Sequence, residues 1–235
     1  AIADWGIAQV AKKLGKTEDY KLFSERASYY KLYWDSKTHF FRGKNMDGSF
    51  STPFNPFRST HRSDDYCEGN AWQYTWLVPE DVEGLIELFG SESAFVNKLD
   101  SLFHLEQSLG DNASPDISGL IGQYAHGNEP GHHTTYLYAF AGQQWKTAEI
   151  VRKVLKTMYF DNPNGLAGNE DCGQMSSWYV FSALGFYPVN PSNGVYVFGS
   201  PLFDEAKISL PGGKTFKITT KNNSDKKIYR YRRLG

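Results

Sequence analysis

The spacing of apolar residues along this chain changes once, and the change falls at Pro188. Before it, apolar residues recur every three or four positions; after it, they alternate with polar ones. The first spacing belongs to helices with one buried face and the second to half-buried strands. The chain is therefore expected to build a helical body over residues 1–188 and a small antiparallel β segment over residues 189–235.

Within the first part, Ile2, Trp5, Ile7, Val10 and Leu14 share a helical face, and Gly15 is a stop signal. Thr17-Glu18-Asp19 opens a second helix reaching about Trp34, which makes an αα-hairpin. Asn70 can cap "AWQYTWLV"; "PEDVEGLIELFG" follows with Pro in its first turn and Gly at its end, then "SESAFVNKLDSLFHLEQSLG". Two more helices are expected at about 131–142 and 145–160, and a last one, "QMSSWYVFSALGF", closes at Gly185 and Pro188. Polar loops rich in Gly, Pro, Asn and Asp separate these helices at residues 35–68, at 110–130 and in "FDNPNGLAGNEDCG". Loops this long between packed helices tend to carry function. After Pro188, "GVYVFGSP", "EAKISLPGG", "KTFKITTKNN" and "KKIYRYRR" read as strands. Helical hairpins arranged around an axis make an (α/α)6 toroid, with loops gathered at one end. The seven to eight helices counted here are too few to close one, so the fold class expected is mainly α, a partial toroid followed by a small β segment. The opening "AIADWGIAQVAKKLG" reads as mid-helix, and the chain as a fragment, with exposed apolar surface inviting self-association.

The formal net charge of −1 offers no basic surface for nucleic acid, and no apolar run is long enough for a transmembrane helix. Two cysteines, Cys67 and Cys172, make neither a disulfide framework nor a Cys-rich zinc site. Aromatic residues make up 16%, which serves either core packing or the stacking of rings on sugar faces.

Three acids stand at the ends of the three polar loops. Glu68, in "DDYCEGNAWQYTW", precedes the Asn70 cap and lies near Trp72 and Trp76. Either it is a solvated acid favoured by the helix dipole, or the aromatic rings desolvate it and raise its pKa, as suits a general acid. Glu129 precedes Pro130 in "GNEPGHH", which places it as the N-cap of the next helix. Glu is a poor cap, so its oxygens are expected to serve elsewhere, and with the amide of Asn128 they suit calcium. Zinc is the rival because of His132 and His133, but neighbouring helical residues diverge, whereas a zinc pair wants a spacing of four. The tripeptide "GNE" recurs at Gly168-Asn169-Glu170, and Asp171 follows as either a helix cap or an ionised general base. One acid and one base are the requirement of glycoside hydrolysis.

The stretches "YCEGNAWQYTW", "GNEPGHHTTYLY" and "GLAGNEDCGQMSSWYVFSALGFYPV" strongly resemble glycoside hydrolase family 92, calcium-dependent exo-acting α-mannosidases. The resemblance runs over nearly the whole chain. It implies an N-terminal β-sandwich joined to an (α/α)6 toroid, with the strands after Pro188 belonging to that sandwich. It implies removal of terminal mannose from glycans with inversion, a Ca2+ ion on the sugar hydroxyls, and an exported bacterial protein. By its motifs, Glu68 matches the general acid, Asp171 the general base, and Asn128 and Glu129 the calcium region. Trp72, His132, His133, Asn169 and Glu170 match positions near the sugar; Asn169 stands where the family often has a second acid, so Asp171 would act alone. Alternatives are an inert fragment with weak glycan or metal binding, or another α/α-toroid glycosidase.

Overall fold

The computed structural model describes residues 1–61, 63–110, 112–224 and 226–229. It is mainly helical. The first hairpin pairs α1 (Ile2–Lys13) with α2 (Thr17–Ala27), joined through Gly15 at φ +68° and by Arg26 Nε to Asp4 Oδ1 at 3.0 Å. Only Ala8 and Ala11 of α1 are buried; Val10 and Leu14, on the apolar face expected to pack, are 58% and 67% exposed. The second helix ends seven residues short of the expected Trp34, passing into a 3₁₀ turn over Ser28–Tyr33. Tertiary contacts override the helical pattern there: Tyr30 Oη donates to Asp81 Oδ2 at 2.6 Å, and Trp34 packs edge-on against Phe89.

Trp34–Asp35 (β1) and Phe40–Phe41 (β2) form a hairpin at the start of the first long loop. Arg42 organises that loop, donating to Asp35 Oδ2 at 2.6 Å and to Ser51 O at 2.7 Å. Asn70 caps α3 (Ala71–Tyr74), which is shorter than the pattern implied. Residues before proline avoid the α region, so Val78-Pro79 ends the run. Pro79 itself lies in the connecting turn, and Asp81, not Pro79, starts α4 (Val82–Leu88) by accepting from Gly84 N. Ser91 caps α5 (Glu92–His104), whose Phe95, Val96, Leu99, Leu102 and Phe103 are buried.

The second loop contains a hairpin that the sequence does not announce, Leu120–Ile121 (β3) against Tyr124–Ala125 (β4). Two-residue strands are too short to show a period. Bonds from His126 N to Gly119 O and from Gly127 N to Ser118 O extend the ladder to Gly127. The next helix is a 3₁₀ stretch over Glu129–Ala141, unusually long for that geometry. It is buried from His132 to Tyr138, because α3, α4 and α5, together with the two helices that follow it, all pack around it. Helices α6 (Gln144–Thr157) and α7 (Gln174–Leu184) follow, the latter closed by Gly185 at φ +95°. Trp76, Trp178, Tyr124, Tyr136, Phe95 and Leu137 are among the fully buried side chains of the core.

Beyond α7, Phe186–Tyr187 (β5) pairs with Val197–Phe198 (β6), and Glu205–Leu210 (β7) pairs with Lys214–Thr219 (β8). Of the fourth expected strand, Lys226–Tyr229 lie in no strand, and Arg230–Arg233 fall outside the described residues.

Candidate active site

Glu68 ends the first loop. Its backbone, rather than its side chain, is fixed: its N–H donates to Tyr74 Oη at 3.1 Å and its carbonyl accepts from Asn128 Nδ2 at 3.2 Å. Two residues on, Asn70 Oδ1 accepts from Trp72 N, while Gln73 Oε1 accepts from Asn70 N at 2.7 Å, a capping box. Asn70 and Gln73 both reach Gln123 in the second loop, at 3.3 and 2.6 Å, which ties the turn after Glu68 to the hairpin before Asn128. The Glu68 carboxylate is half-buried and lies 3.5 Å from Asn128 Nδ2.

The two "GNE" segments meet back to back. A Cβ on Gly168 would lie 2.6 Å from Gly127 Cα and 2.7 Å from Gly127 C, and one on Gly127 would lie 2.7 Å from Ala167 O. Only glycines allow this approach. It aligns the second and third loops so that the carboxyl groups of Glu129 and Asp171 come near enough to perturb one another. The carboxyl of Glu129 is pushed up to about 7, first by burial, then by the neighbouring carboxyl of Asp171 and the negative charge of Glu68. Its Oε1 is buried and has no hydrogen-bond partner among the described residues. The N-cap of the 3₁₀ stretch is Asn128, and Glu129 occupies the first helical position, so the helix starts one residue earlier than the Pro130 signal implied.

Asp171 does not cap α7 either. The cap position is Gly173, and the carboxylate bonded to the first turn is Glu170, which accepts from Ser176 N at 3.1 Å and Ser176 Oγ at 2.9 Å. Asp171 is thus freed from capping, exposed, and held at φ +46°. Cys172 and Gly173 follow at φ +56° and +90°, three successive left-handed residues. Left-handed non-glycine residues cost on the order of 1–3 kcal/mol each, and such strain concentrates at functional sites. Asn169 is exposed beside it. Cys67 and Cys172 are free and exposed.

The other sugar-site candidates face inward. Trp72 is buried edge-on against Phe40, with Lys98 Nζ 4.2 Å from its ring; burial draws the Lys98 ammonium down to about 8. His132 Nε2 donates to His126 O at 2.9 Å, so its Nδ1 accepts from Gln174 Nε2 at 3.1 Å. His133 Nε2 donates to Trp76 O at 2.6 Å. Burial holds both imidazoles down to about 4, and that of His126 well below its ordinary value. All three are then neutral when folded, whereas unfolded imidazoles titrate near about 6.5. Between those values the unfolded chain binds more protons, so the stability they support is complete above about pH 6.5 and drains as pH falls toward 4. The unfolding free energy from urea titration is expected to drop over that window by up to about 1.4 kcal/mol per pH unit for each histidine, less steeply in His133→Gln; a pH-independent value would refute buried, neutral histidines.

The sequence reading missed Gln73, Gln123, Tyr74 and Gln174, which hold the carboxylates' supports together. The pattern Asn70-x-x-Gln73 was available as a capping-box signal; the partners of Gln123 and Gln174 lie far away in sequence and leave no local trace.

The family profile described as the glycosyl hydrolase family 92 catalytic domain matches residues 1–232. A family GH92 α-mannosidase from Bacteroides thetaiotaomicron, solved in complex with mannoimidazole, is 41% identical, with a TM-score of 0.91 over 97% of this chain and 30% of that one. A family GH92 inverting mannosidase of the same species is 36% identical, with a TM-score of 0.80 over 94% of this chain and 31% of that one. An uncharacterized secreted glycosidase from Arthroderma benhamiae is 30% identical over 95% of this chain and 29% of its own length. The chain therefore spans about three tenths of the length of these relatives.

Proposed function

Given that this chain belongs to glycoside hydrolase family 92, we propose that it is the C-terminal, acid- and base-bearing part of an exported enzyme that removes terminal α-linked mannose from glycans with inversion. In this reading residues 1–188 form the catalytic portion and residues 189–235 belong to a β-sandwich. The observation that supports it is geometric: Asn128, next to Glu129, lies 3.5 Å from the Glu68 carboxylate, and Gly127 packs on Gly168, three residues before Asp171, so that the three loop ends carrying these acids meet.

Glu68 is the general acid, giving its proton to the leaving-group oxygen. Its side chain is half-buried with its backbone pinned, so the carboxyl is aimed without being used up in structure. Asp171 is the general base that draws a proton from the attacking water. Its exposure gives water access, and its backbone carbonyl, which accepts from Gln174 N at 3.1 Å, anchors it at the end of the third loop. Of the remaining candidates, Asn169 and Glu170 border the site, while Trp72, His132 and His133 support it from behind.

The residues present fit calcium over part of its shell. The orphan Oε1 of Glu129 is a hard carboxylate oxygen, and Asn128, with Nδ2 turned toward Glu68, leaves its amide oxygen as the free end. Among the described residues no group of three or more His, Cys, Asp or Glu could hold a metal, so substrate hydroxyls and water would complete the shell. Bound there, calcium would orient and polarise sugar hydroxyls. The test is mannose release from an α-mannoside with and without a chelator, following the first-formed anomer by proton NMR. Release that stops on chelation and returns with calcium, giving the inverted anomer, supports the reading. Chelator-insensitive release would remove calcium from it, and no release at any calcium level would favour an inert chain.

A further inference from the structure

We propose that Gln174, with His132 behind it, is a positioning residue for the general base: together they tie the third loop to the second through the core and so fix where Asp171 stands; this rests on the glycosidase reading above. Asp171, Cys172 and Gly173 run left-handed into α7, ahead of its helical ladder. Two backbone bonds close that turn, from Gln174 N to Asp171 O at 3.1 Å and from Met175 N to Glu170 O at 3.3 Å. Wherever Gln174 is held, the carbonyl of the base is held with it.

Gln174 is the first residue of α7, and its side chain is half-buried and turned inward. Its Nε2 donates to His132 Nδ1 at 3.1 Å and to Tyr187 Oη at 3.2 Å, which commits both amide hydrogens. The partners fix the direction of each bond. His126 O can only accept, so the His132 Nε2 that faces it at 2.9 Å carries the ring proton, and Nδ1 of the neutral ring offers a lone pair. His132 is 1% exposed and stacks on His126 with ring centroids 4.7 Å apart, while its carbonyl accepts from Trp178 Nε1 at 3.0 Å. Tyr187 is buried and stacks on Tyr136 with ring centroids 5.1 Å apart. Gln174 thus grips two groups that the core holds in place.

The thread ends on His126, beside Gly127 of the second loop, and a second thread leaves the same residue through its ring. Tyr159 Oη donates to Met175 O at 3.1 Å and so accepts from His126 Nε2 at 2.7 Å, which leaves His126 Nδ1 to accept from Tyr124 Oη at 2.7 Å. Two parallel threads therefore run from one histidine to adjacent residues of α7. The Tyr159 thread holds a carbonyl inside the helix, whereas the Gln174 thread holds the residue whose N–H is bonded to Asp171. The second loop is fixed independently by the β3–β4 ladder, so cutting the Gln174 thread releases the third loop and the base rather than the second.

The test is a double-mutant cycle with 4-nitrophenyl α-mannoside as substrate. Gln174→Met keeps the length of the side chain and removes both donors. His132→Gln keeps a donor for His126 O and removes the nitrogen that accepts from Gln174. Each is expected to lower kcat about tenfold and to leave KM within about twofold, because the base shifts while the groups around the sugar stay. In the double variant the losses are expected not to multiply, since either substitution cuts the same thread. Full kcat in Gln174→Met overturns the proposal, as do losses that multiply. So does a lowered urea midpoint with kcat per folded chain unchanged, the mark of a purely structural role. A second arm needs no turnover: the N–H of residue 174 is expected to exchange with deuterium about tenfold faster in His132→Gln and in Gln174→Met than in the parent 235-residue chain, and an equal rate overturns the tie. Should His132→Gln fail to fold, Gln174→Met decides both arms. If the parent chain hydrolyses no mannoside, the mannosidase reading fails while exchange still decides whether His132 and Gln174 hold the turn.

Discussion

Glu68→Gln and Asp171→Asn are each expected to lower kcat for an α-mannoside by about 10²–10⁴-fold, the range spanned by positioned acid and base groups. An amide can neither give the leaving group its proton nor take one from water. The substitutions are informative because neither carboxylate holds the fold. The structural bonds at Glu68 run through its backbone N–H and carbonyl, which Gln keeps. At Asp171 it is the backbone carbonyl that accepts from Gln174 N, and the capping of α7 falls to Glu170. Asn also tolerates the left-handed conformation at φ +46° about as well as Asp does. Both variants should therefore unfold at the urea midpoint of the parent chain. The readouts are mannose release and chemical denaturation on the same preparation. Parental kcat in either variant would remove that residue from the mechanism, and loss of kcat accompanied by a collapsed midpoint would mean that the carboxylate is structural instead.

The division between what could be read beforehand and what could not follows the range of the interactions. Helix existence was legible wherever a cap and a buried stripe coincide, as at Ser91 with Phe95, Leu99 and Leu102. It misled where distant partners pull the chain away, as at Tyr30, whose hydroxyl binds Asp81 fifty-one residues on. At the site, the acids stood out because each ends a loop, but their roles in helix starts did not. A local rule makes Asp171 a better cap than Glu170, yet the left-handed run from Asp171 to Gly173 turns Glu170 toward Ser176 and Asp171 away from the helix. The adjacent histidines were already unlike a zinc pair in the sequence, where their spacing sets them apart, and were expected near the sugar. In the fold they diverge, one bonded to His126 O and the other to Trp76 O, because neighbouring helical residues point apart.

Gly168→Ala is expected to cost more activity than any other substitution that leaves all three carboxylates in place. The repeat of "GNE" is the trace of a seam at which Gly127 and Gly168 bring two loops into backbone contact. An alanine Cβ at 168 would meet the carbonyl oxygen of Gly127 and lie 2.6 Å from its Cα, so the nearest obstacles are main chain rather than the movable end of a side chain. That main chain is itself held, because Gly127 N donates to Ser118 O at 3.0 Å and the β3–β4 ladder lies directly behind it. The loops must separate by roughly 1 Å to admit the methyl group. A shift of that size at a catalytic constellation costs about 10²-fold in rate, while overpacking costs about 1–3 kcal/mol of stability. The same movement would draw Asp171 away from Glu129 and lessen the charge crowding that helps lift Glu129 to about 7. Kinetics should therefore show kcat reduced about 100-fold with a smaller change in KM, and a carboxyl-labelled NMR titration should place Glu129 closer to an ordinary carboxylate. Retention of full kcat with Glu129 still titrating near 7 would show that the glycine seam does not set the spacing of the acids.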